Sequence, residues 1–578
     1  MELKITTNNT KQKAYEPAVS PLRKILFYLI LALIPVFLFV LLETSLRLFG
    51  FGTNLDLFVR SEKYPGYYEI NQNVSKRYFF KEDKTSPSND IFLVEKPDNC
   101  YRIFVMGGST TRGFPYTMGV TFSRILNYRL QDAFPDRRIE VVNTSMTAVN
   151  SITLSDIIDE ILAMKPDAIL IYAGHNEYYG ALGVASVEKI GNADWIKHLH
   201  LSLVKLRTYQ LIQKLVGRIK QLFTPYNVKP TSTMMEAMVG DKEIPYKSQL
   251  YQSGIEQFRK NMDRVIRKSK EAEVPVIFSE VVSNIGGNPP FSSVEVEGYP
   301  TAAEAFERAC TFEAEDMYDE ARRFYYLAKD LDGLRFRATE DLNNVIHEIA
   351  GKYSVPVLGM KEVFEKASPN RIVGNSLMTE HLHPNVDGYF LMADAFFCEM
   401  QKDRFIADQW DSLTIKPPEF YRKNWGFTQL DSLVADLTIR ALTSGWPFKP
   451  DSVINDFIYT YKPVSMVDSI AAMCVLYDNI NISTKHRDLA KIYLDNGDKR
   501  AAFNEYYSLI KDTPYNTYLY VEALKILMEL QDYQTALNLM LSMPDRKDSF
   551  MAEFQIGEIY QQLGEHKLAL ESFEKARK

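Results

Sequence analysis

The apolar positions of this chain change period several times along its length, and each change marks a different kind of element. Residues 25 to 42 read ILFYLILALIPVFLFVLL without a charge. That is near the minimum length that crosses a hydrocarbon core, so a transmembrane helix is predicted over 25–48. Short apolar, β-branched runs follow: YRIFVM from Tyr101, IEVVN from Ile139, DAILIYAG from Asp167, VPVIFSEVV from Val274 and VPVLGM from Val355. Between the first three, TFSRILNYRLQDAF and TLSDIIDEILAMK place apolar residues at helical spacing. Strands alternating with crossover helices predict an α/β fold with a three-layer, doubly wound parallel sheet. This domain spans 101–405, with excursions over about 181–250 and about 285–340.

Residues 49–100 mix aromatic and charged residues without a sustained period and read as a loosely packed stem. The first excursion contains a basic amphipathic stretch in which Lys197, Lys205, Arg207, Lys214, Arg218 and Lys220 face a single acid, Asp194. Such a helix either lies on anionic headgroups or an anionic polymer, or packs on its domain with a solvated basic face; the second reading is favoured. The second excursion carries a helical hairpin with Ala309, Phe312, Ala321, Tyr325 and Ala328 at its packing positions. Residues 406–482 are helical and irregular, a connector. From 483 to 578 the chain repeats: Ala490, Tyr493, Gly497, Ala502 and Tyr506 match Gly557, Tyr560, Gly564, Ala569 and Phe573, with a weaker copy around Leu527, Ala536 and Met540. Small residues let paired helices approach. The segment resembles the tetratricopeptide repeat, which implies a short module that docks a protein partner or caps the domain before it.

Composition narrows the class. With 578 residues, 46% hydrophobic and 24% charged, the chain is neither disordered nor a single ordinary core. A net charge of -7 gives no global attraction to nucleic acid. Cys100, Cys310, Cys398 and Cys474 are scattered without a C-x-x-C pair, which excludes a disulfide scaffold and a cysteine zinc site. Before the apolar run lie Lys4, Lys11, Lys13, Arg23 and Lys24 against Glu2 and Glu16. The positive-inside rule therefore keeps residues 1–24 in the cytoplasm and everything after residue 50 outside it, in the periplasm for a bacterial inner membrane. A cleaved signal peptide is the rival, but Glu43, Thr44, Ser45, Leu46 and Arg47 follow where small residues should stand.

Three segments carry candidate chemistry, each after a strand of the one sheet. VMGGSTTRG puts Ser109 at the carboxyl end of the first strand, where open α/β sheets hold their ligands. It lacks both nucleotide-binding glycine patterns and the G-x-S-x-G elbow. AGHNEYYG puts Asn176 after the third strand, where its amide either donates to a developing oxyanion or closes its own turn. TEHLHPNVDGY follows the fifth, with His383 before a proline and Glu380 three residues earlier, within reach to orient the imidazole. His381 completes a His-x-His pair, which on a lone loop is more often accidental than a zinc site.

These blocks, in this order, resemble the SGNH (GDSL-type) hydrolase family over roughly residues 100–405. The resemblance implies a flavodoxin-like sheet and a serine mechanism without metal or cofactor. Ser109 would be the nucleophile, His383 its base and Glu380 the orienting carboxylate in place of the family's aspartate. The oxyanion hole would be formed by the Ser109 N–H, Asn176 and the second block, NTSMTAVNS, in which Ala148 stands where glycine is usual. Gly108 replaces the family's non-catalytic aspartate. The expected activity is an extracytoplasmic serine esterase acting on acylated substrates, with O-acetylated envelope carbohydrate first. Acyl transfer to a sugar through the same acyl-enzyme, and a non-catalytic assembly scaffold, are the alternatives.

Overall fold

The computed structural model describes residues 21–79, 85, 87–187, 191, 194–223, 234–240, 243–411, 415–477, 480–544, 546 and 549–577. The predicted tail with Lys4, Lys11 and Lys13 lies outside them. Two compact units form: Met1–Asn54 with Leu203–Tyr226, and Leu55–Ser202 with Asn227–Lys578.

In the first unit the apolar run lies in a helix, Pro21–Leu48, whose side chains are exposed from Pro21 to Leu42. Among the described residues it is the one helix long and apolar enough to cross a membrane. The basic stretch divides into Arg207–Phe223, which belongs to this unit, and Asp194–Leu203, which up to Ser202 belongs to the second.

The second unit is built on the five predicted strands. We number β1 (Phe58–Arg60), β2 (Tyr67–Ile70), β3 (Ile91–Leu93), β4 (Cys100–Gly107), β5 (Arg138–Asn143), β6 (Ala168–Tyr172), β7 (Val276–Ser279) and β8 (Val357–Leu358). β4 to β8 form one parallel sheet in the order β5-β4-β6-β7-β8. β4 and β6 are apolar on both faces because crossover helices cover both sides. The order reverses beside β4, so its carboxyl end opens a crevice. β5 is an edge strand whose outward N–H groups are occupied: Ile139 donates to Gln131 Oε1, Val141 to Asn127 Oδ1 and Asn143 to Asp90 Oδ2.

The stem is not loose. β1, β2 and β3 pair as an antiparallel sheet, and Leu57, Ile70, Val74, Tyr78 and Phe92 join the main core. Its strands are too short to show a period, and two of its charged residues are buried partners: Arg77 pairs with Asp156 at 2.9 Å and Asp90 with Arg124 at 2.6 Å. The second excursion forms the expected hairpin, Ala302–Ala314 against Tyr318–Leu331, with Ala305, Ala309, Ala321 and Ala328 fully buried.

The C-terminal region forms three helix pairs: Ile482–Asp495 with Lys499–Asp512, Thr517–Glu529 with Tyr533–Leu541, and Phe550–Gln562 with His566–Arg577. Gly497, Gln531 and Gly564 take positive φ at the turn of each pair. Ala502, Ala536 and Ala569 are buried at the matching close approach. His486, in the first pair, is buried between Glu505, 2.5 Å from Nδ1, and Asp431 of the connector, 3.2 Å from Nε2. Burial alone would lower this imidazole, but the two carboxylates outweigh it and raise it to about 10. The stability this cluster contributes is therefore full below the unfolded value of about 6.5 and is lost as pH rises through about 10. Melting temperature should fall across that window in the native chain, and His486→Gln should flatten the dependence; a parallel profile in the variant would show that His486 is not its source.

Candidate active site

Ser109 follows Gly107 and Gly108 at the end of β4 and opens the short helix Ser109–Arg112. Only one of these glycines is sterically required. A Cβ on Gly107 would overlap Thr111 Oγ1 and the Tyr172 carbonyl oxygen, whereas one on Gly108 would meet only the Val149 carbonyl, at 3.8 Å. The turn is held from three sides. Asn143 at the end of β5 donates to the Thr111 carbonyl at 2.7 Å, Thr111 Oγ1 to the Tyr172 carbonyl at 3.1 Å, and the Tyr389 hydroxyl to the Thr110 and Phe114 carbonyls at 3.1 and 2.8 Å.

The loop before the helix Val386–Lys402 brings His383 to this turn. His383 Nε2 is 2.7 Å from Ser109 Oγ, and Nδ1 contacts Glu380 Oε1. A carboxylate only accepts, so Nδ1 carries the proton and Nε2 is left to accept from the serine hydroxyl. Glu380 is itself fixed: its oxygens accept the backbone N–H groups of His381 and His383, both at 2.8 Å. The three-residue separation works because the carboxylate folds back over its own loop. The distant pair therefore meets: Ser109, His383 and Glu380 form one buried hydrogen-bonded chain able to pass a proton from hydroxyl to imidazole. Phe114 covers the imidazole, with ring centroids 4.6 Å apart.

His381 Nδ1 sits against the other Glu380 oxygen, Oε2. Its ring packs edge-on against Phe291 and Phe448, and burial pushes it well below the ordinary imidazole value. It is a neutral packing histidine behind the carboxylate.

Asn176 takes φ +58° beyond β6, tolerable for asparagine, and its carbonyl accepts from Gly180 at 2.6 Å. Together with Gly108, Ser109, Val149, Asn150, Leu154 and Tyr172 it lines a narrow cleft. Ala148, just before Val149, adopts φ +60°, the conformation that glycine takes freely and that costs alanine about 1–2 kcal/mol. The second and third blocks are locked together by Glu177, which accepts from Ser151 N–H at 3.0 Å and Ser151 Oγ at 2.7 Å. Sequence reading missed Asn143, Glu177 and Tyr389. All three lay inside the quoted blocks, but nothing local marks a side chain whose partner is a distant carbonyl or hydroxyl.

Burial pushes His383 down to about 3, while the abutting Glu380 carboxylate pulls the other way. Because the neutral imidazole is the form that accepts a proton, the acid limb of kcat/KM should lie between about 3 and the ordinary value near 6.5. A limb above 7 in a pH profile on a neutral ester would contradict this.

A family model described as GDSL-like Lipase/Acylhydrolase matches residues 103–396. No curated protein sequence matches the chain. Among solved structures, the chain is similar to an acetylxylan esterase of Geobacillus stearothermophilus, with 16% identity over 52% of this chain and 94% of that one and a TM-score of 0.28. It is also similar to a GDSL-like lipase of Bacteroides thetaiotaomicron, with 12% identity over 54% and 93% and a TM-score of 0.26. Since the family model spans half of the chain and takes in both the Ser109 turn and the His383 loop, the protein belongs to the GDSL-like lipase/acylhydrolase family and is a serine hydrolase of acyl esters.

Proposed function

We infer that the protein is a membrane-anchored esterase facing away from the cytoplasm that removes small acyl groups, acetyl foremost, from cell-envelope carbohydrate. Ser109 attacks the ester carbonyl while His383 Nε2 takes its proton, and Glu380 holds the imidazolium that forms. The carbonyl oxygen gains charge against the Ser109 N–H, the Asn176 amide and the second-block backbone around Ala148. The proton then passes to the leaving alkoxide, and water repeats the sequence on the acyl-enzyme. The observation that carries the acyl-group assignment is the narrowness of the cleft beside Ser109, whose free volume of ≈ 10 Å³ is about what one water needs. Leu154 and Tyr172 stand in its wall, leaving little depth for a long chain. Anchoring and sidedness are supported by the helix Pro21–Leu48 and the cationic residues before its apolar run.

The test is an ester panel on the detergent-solubilised full chain. Acetyl esters should be turned over at least about tenfold faster than octanoyl esters, and free acetate should appear from acetylated polysaccharide; each tenfold is about 1.4 kcal/mol of transition-state discrimination. Preference for octanoyl esters would overturn the small-acyl reading, and acetate moved onto an added sugar instead of released would make the enzyme a transferase. Asn176→Ala should lower kcat by about 10²-fold or more with a smaller change in KM, because an oxyanion donor meets its charge only in the transition state. A change confined to KM would remove Asn176 from that role.

A further inference from the structure

The helix Arg207–Phe223 faces the wrong way for one that merely packs on its own domain. Such a helix buries its apolar stripe and shows its basic side to water. Here Ile212, Leu215, Val216 and Ile219 are themselves the exposed residues, at 51, 48, 45 and 54%. At 3.6 residues per turn the four fall within about 100° of arc, a continuous apolar stripe. Lys214 and Arg218, also exposed, stand on the other side of the helix.

The same unit fixes where this helix begins. Glu43 directly follows the charge-free run, and its carboxylate accepts from the N–H groups of Arg207 and Thr208 at 3.0 and 2.8 Å and from Thr208 Oγ1 at 3.0 Å. A residue at the boundary of the apolar helix therefore caps the amphipathic one. Gln210 adds a two-way clasp to the Thr53 backbone, accepting at 2.9 Å and donating at 3.2 Å, and Lys214 lies over the Phe51 ring at 5.6 Å. Gly52 has φ +75°, and any Cβ there would overlap Gln210. These contacts engage residues 43–53, past the end of the charge-free run, so the helix starts at the level where hydrocarbon gives way to headgroups.

We propose that Arg207–Phe223 is an in-plane membrane helix, with Ile212, Leu215, Val216 and Ile219 immersed in the outer boundary of the bilayer and Lys214 and Arg218 reaching anionic headgroups. The proposal rests on the reading of Pro21–Leu48 as membrane-spanning and adds a second, sideways attachment to it. Its grounds are the outward apolar stripe, the cations beside it and direct continuity with the apolar helix through Glu43.

The test uses the full chain in nanodiscs of mixed zwitterionic and anionic lipid, with exposed Cys310 and Cys398 replaced by serine. An environment-sensitive fluorophore is placed at single cysteines, Ile212→Cys, Ile219→Cys, Arg218→Cys and Leu33→Cys, and retained turnover of a small ester certifies each folded variant. Nitroxide lipids labelled near the headgroup should quench positions 212 and 219 several-fold more than 218, and mid-chain nitroxides should quench position 33. Quenching at 33 with equal, weak quenching at 212, 218 and 219 would overturn this proposal while leaving the anchor intact. No quenching at 33 would overturn the anchor itself. A blue-shifted emission at 212 and 219 that nitroxide lipids do not quench, and that vanishes with one chain per disc, would assign the stripe to a second copy of the chain and reject the lipid surface.

Discussion

Replacing Ser109 with alanine should cut kcat on any ester by about 10⁴-fold or more while leaving melting temperature nearly unchanged. The hydroxyl is the one group on the chain of contacts from Glu380 through His383 that can become the nucleophile, and its loss leaves only binding and oxyanion stabilisation. His383→Ala should cost a similar factor, and the double variant no more than either alone, because the pair acts as one unit. The methyl group of alanine fits where the hydroxymethyl stood, and the turn keeps its ties to Asn143 and Tyr389 through Thr111 and Thr110. A purified Ser109→Ala protein within tenfold of the native rate would exclude the serine mechanism.

Deleting residues 483–578 should have an effect of comparable size by a different route: the remaining chain should lose its cooperative melt, its near-ultraviolet dichroism and its turnover of small esters together. The first helix pair packs against the segment between the Ser109 turn and the helix Phe122–Ala133. Lys511 lies over the rings of Tyr128, Trp425 and Tyr507, at 3.6, 4.7 and 4.7 Å, and burial pushes its ammonium down to about 7. Arg124 donates to the Asp512 carbonyl at 3.4 Å, and the Tyr515 hydroxyl to the Asn89 carbonyl at 2.8 Å. Gly119 comes so close to the Asp512 backbone that a Cβ there would stand 3.3 Å from its nitrogen. Removing the pairs would uncover one side of Tyr128 and of Trp425, and loss of a whole buried aromatic costs about 3–5 kcal/mol against a total of about 5–15 kcal/mol for a domain. A truncated chain that stays monomeric and keeps turnover within twofold would show that these contacts are dispensable.

The repeat period drew attention to helices that pair with one another and suggested a module that could be lifted off. Among the contacts that join it to the rest of the unit are those of Lys511, Asp512 and Tyr515, which occupy no special position in the repeat. Their partners, Tyr128 and Trp425, carry no local signal either. The five strands were legible because each is a short apolar run bounded by turns, and Ser109 and His383 because their blocks are contiguous in sequence. Glu380 was legible for the same reason, its partner being three residues away. Asn143 and Tyr389, which clamp the Ser109 turn through main-chain carbonyls, were not, since a contact with a carbonyl leaves no trace in the identity of the residue that owns it. The stem misled because its polar residues read as solvated, whereas Arg77 and Asp90 are buried in pairs whose partners lie far along the chain.

The bonds that occupy the free side of β5 have a geometric basis. Asn127 and Gln131 are one helical turn apart, a rise of about 6 Å, and the N–H groups they meet, Val141 and Ile139, are two strand residues apart, about 6.6 Å. The near match lets a single helix act as a counterfeit neighbouring strand, offering amide oxygens at the pitch a real strand would use. Asp90 supplies a third acceptor at Asn143. An incoming extended chain finds those donors already engaged and would have to expel three side chains to pair. That engagement is a standing guard against fusion with a neighbouring sheet.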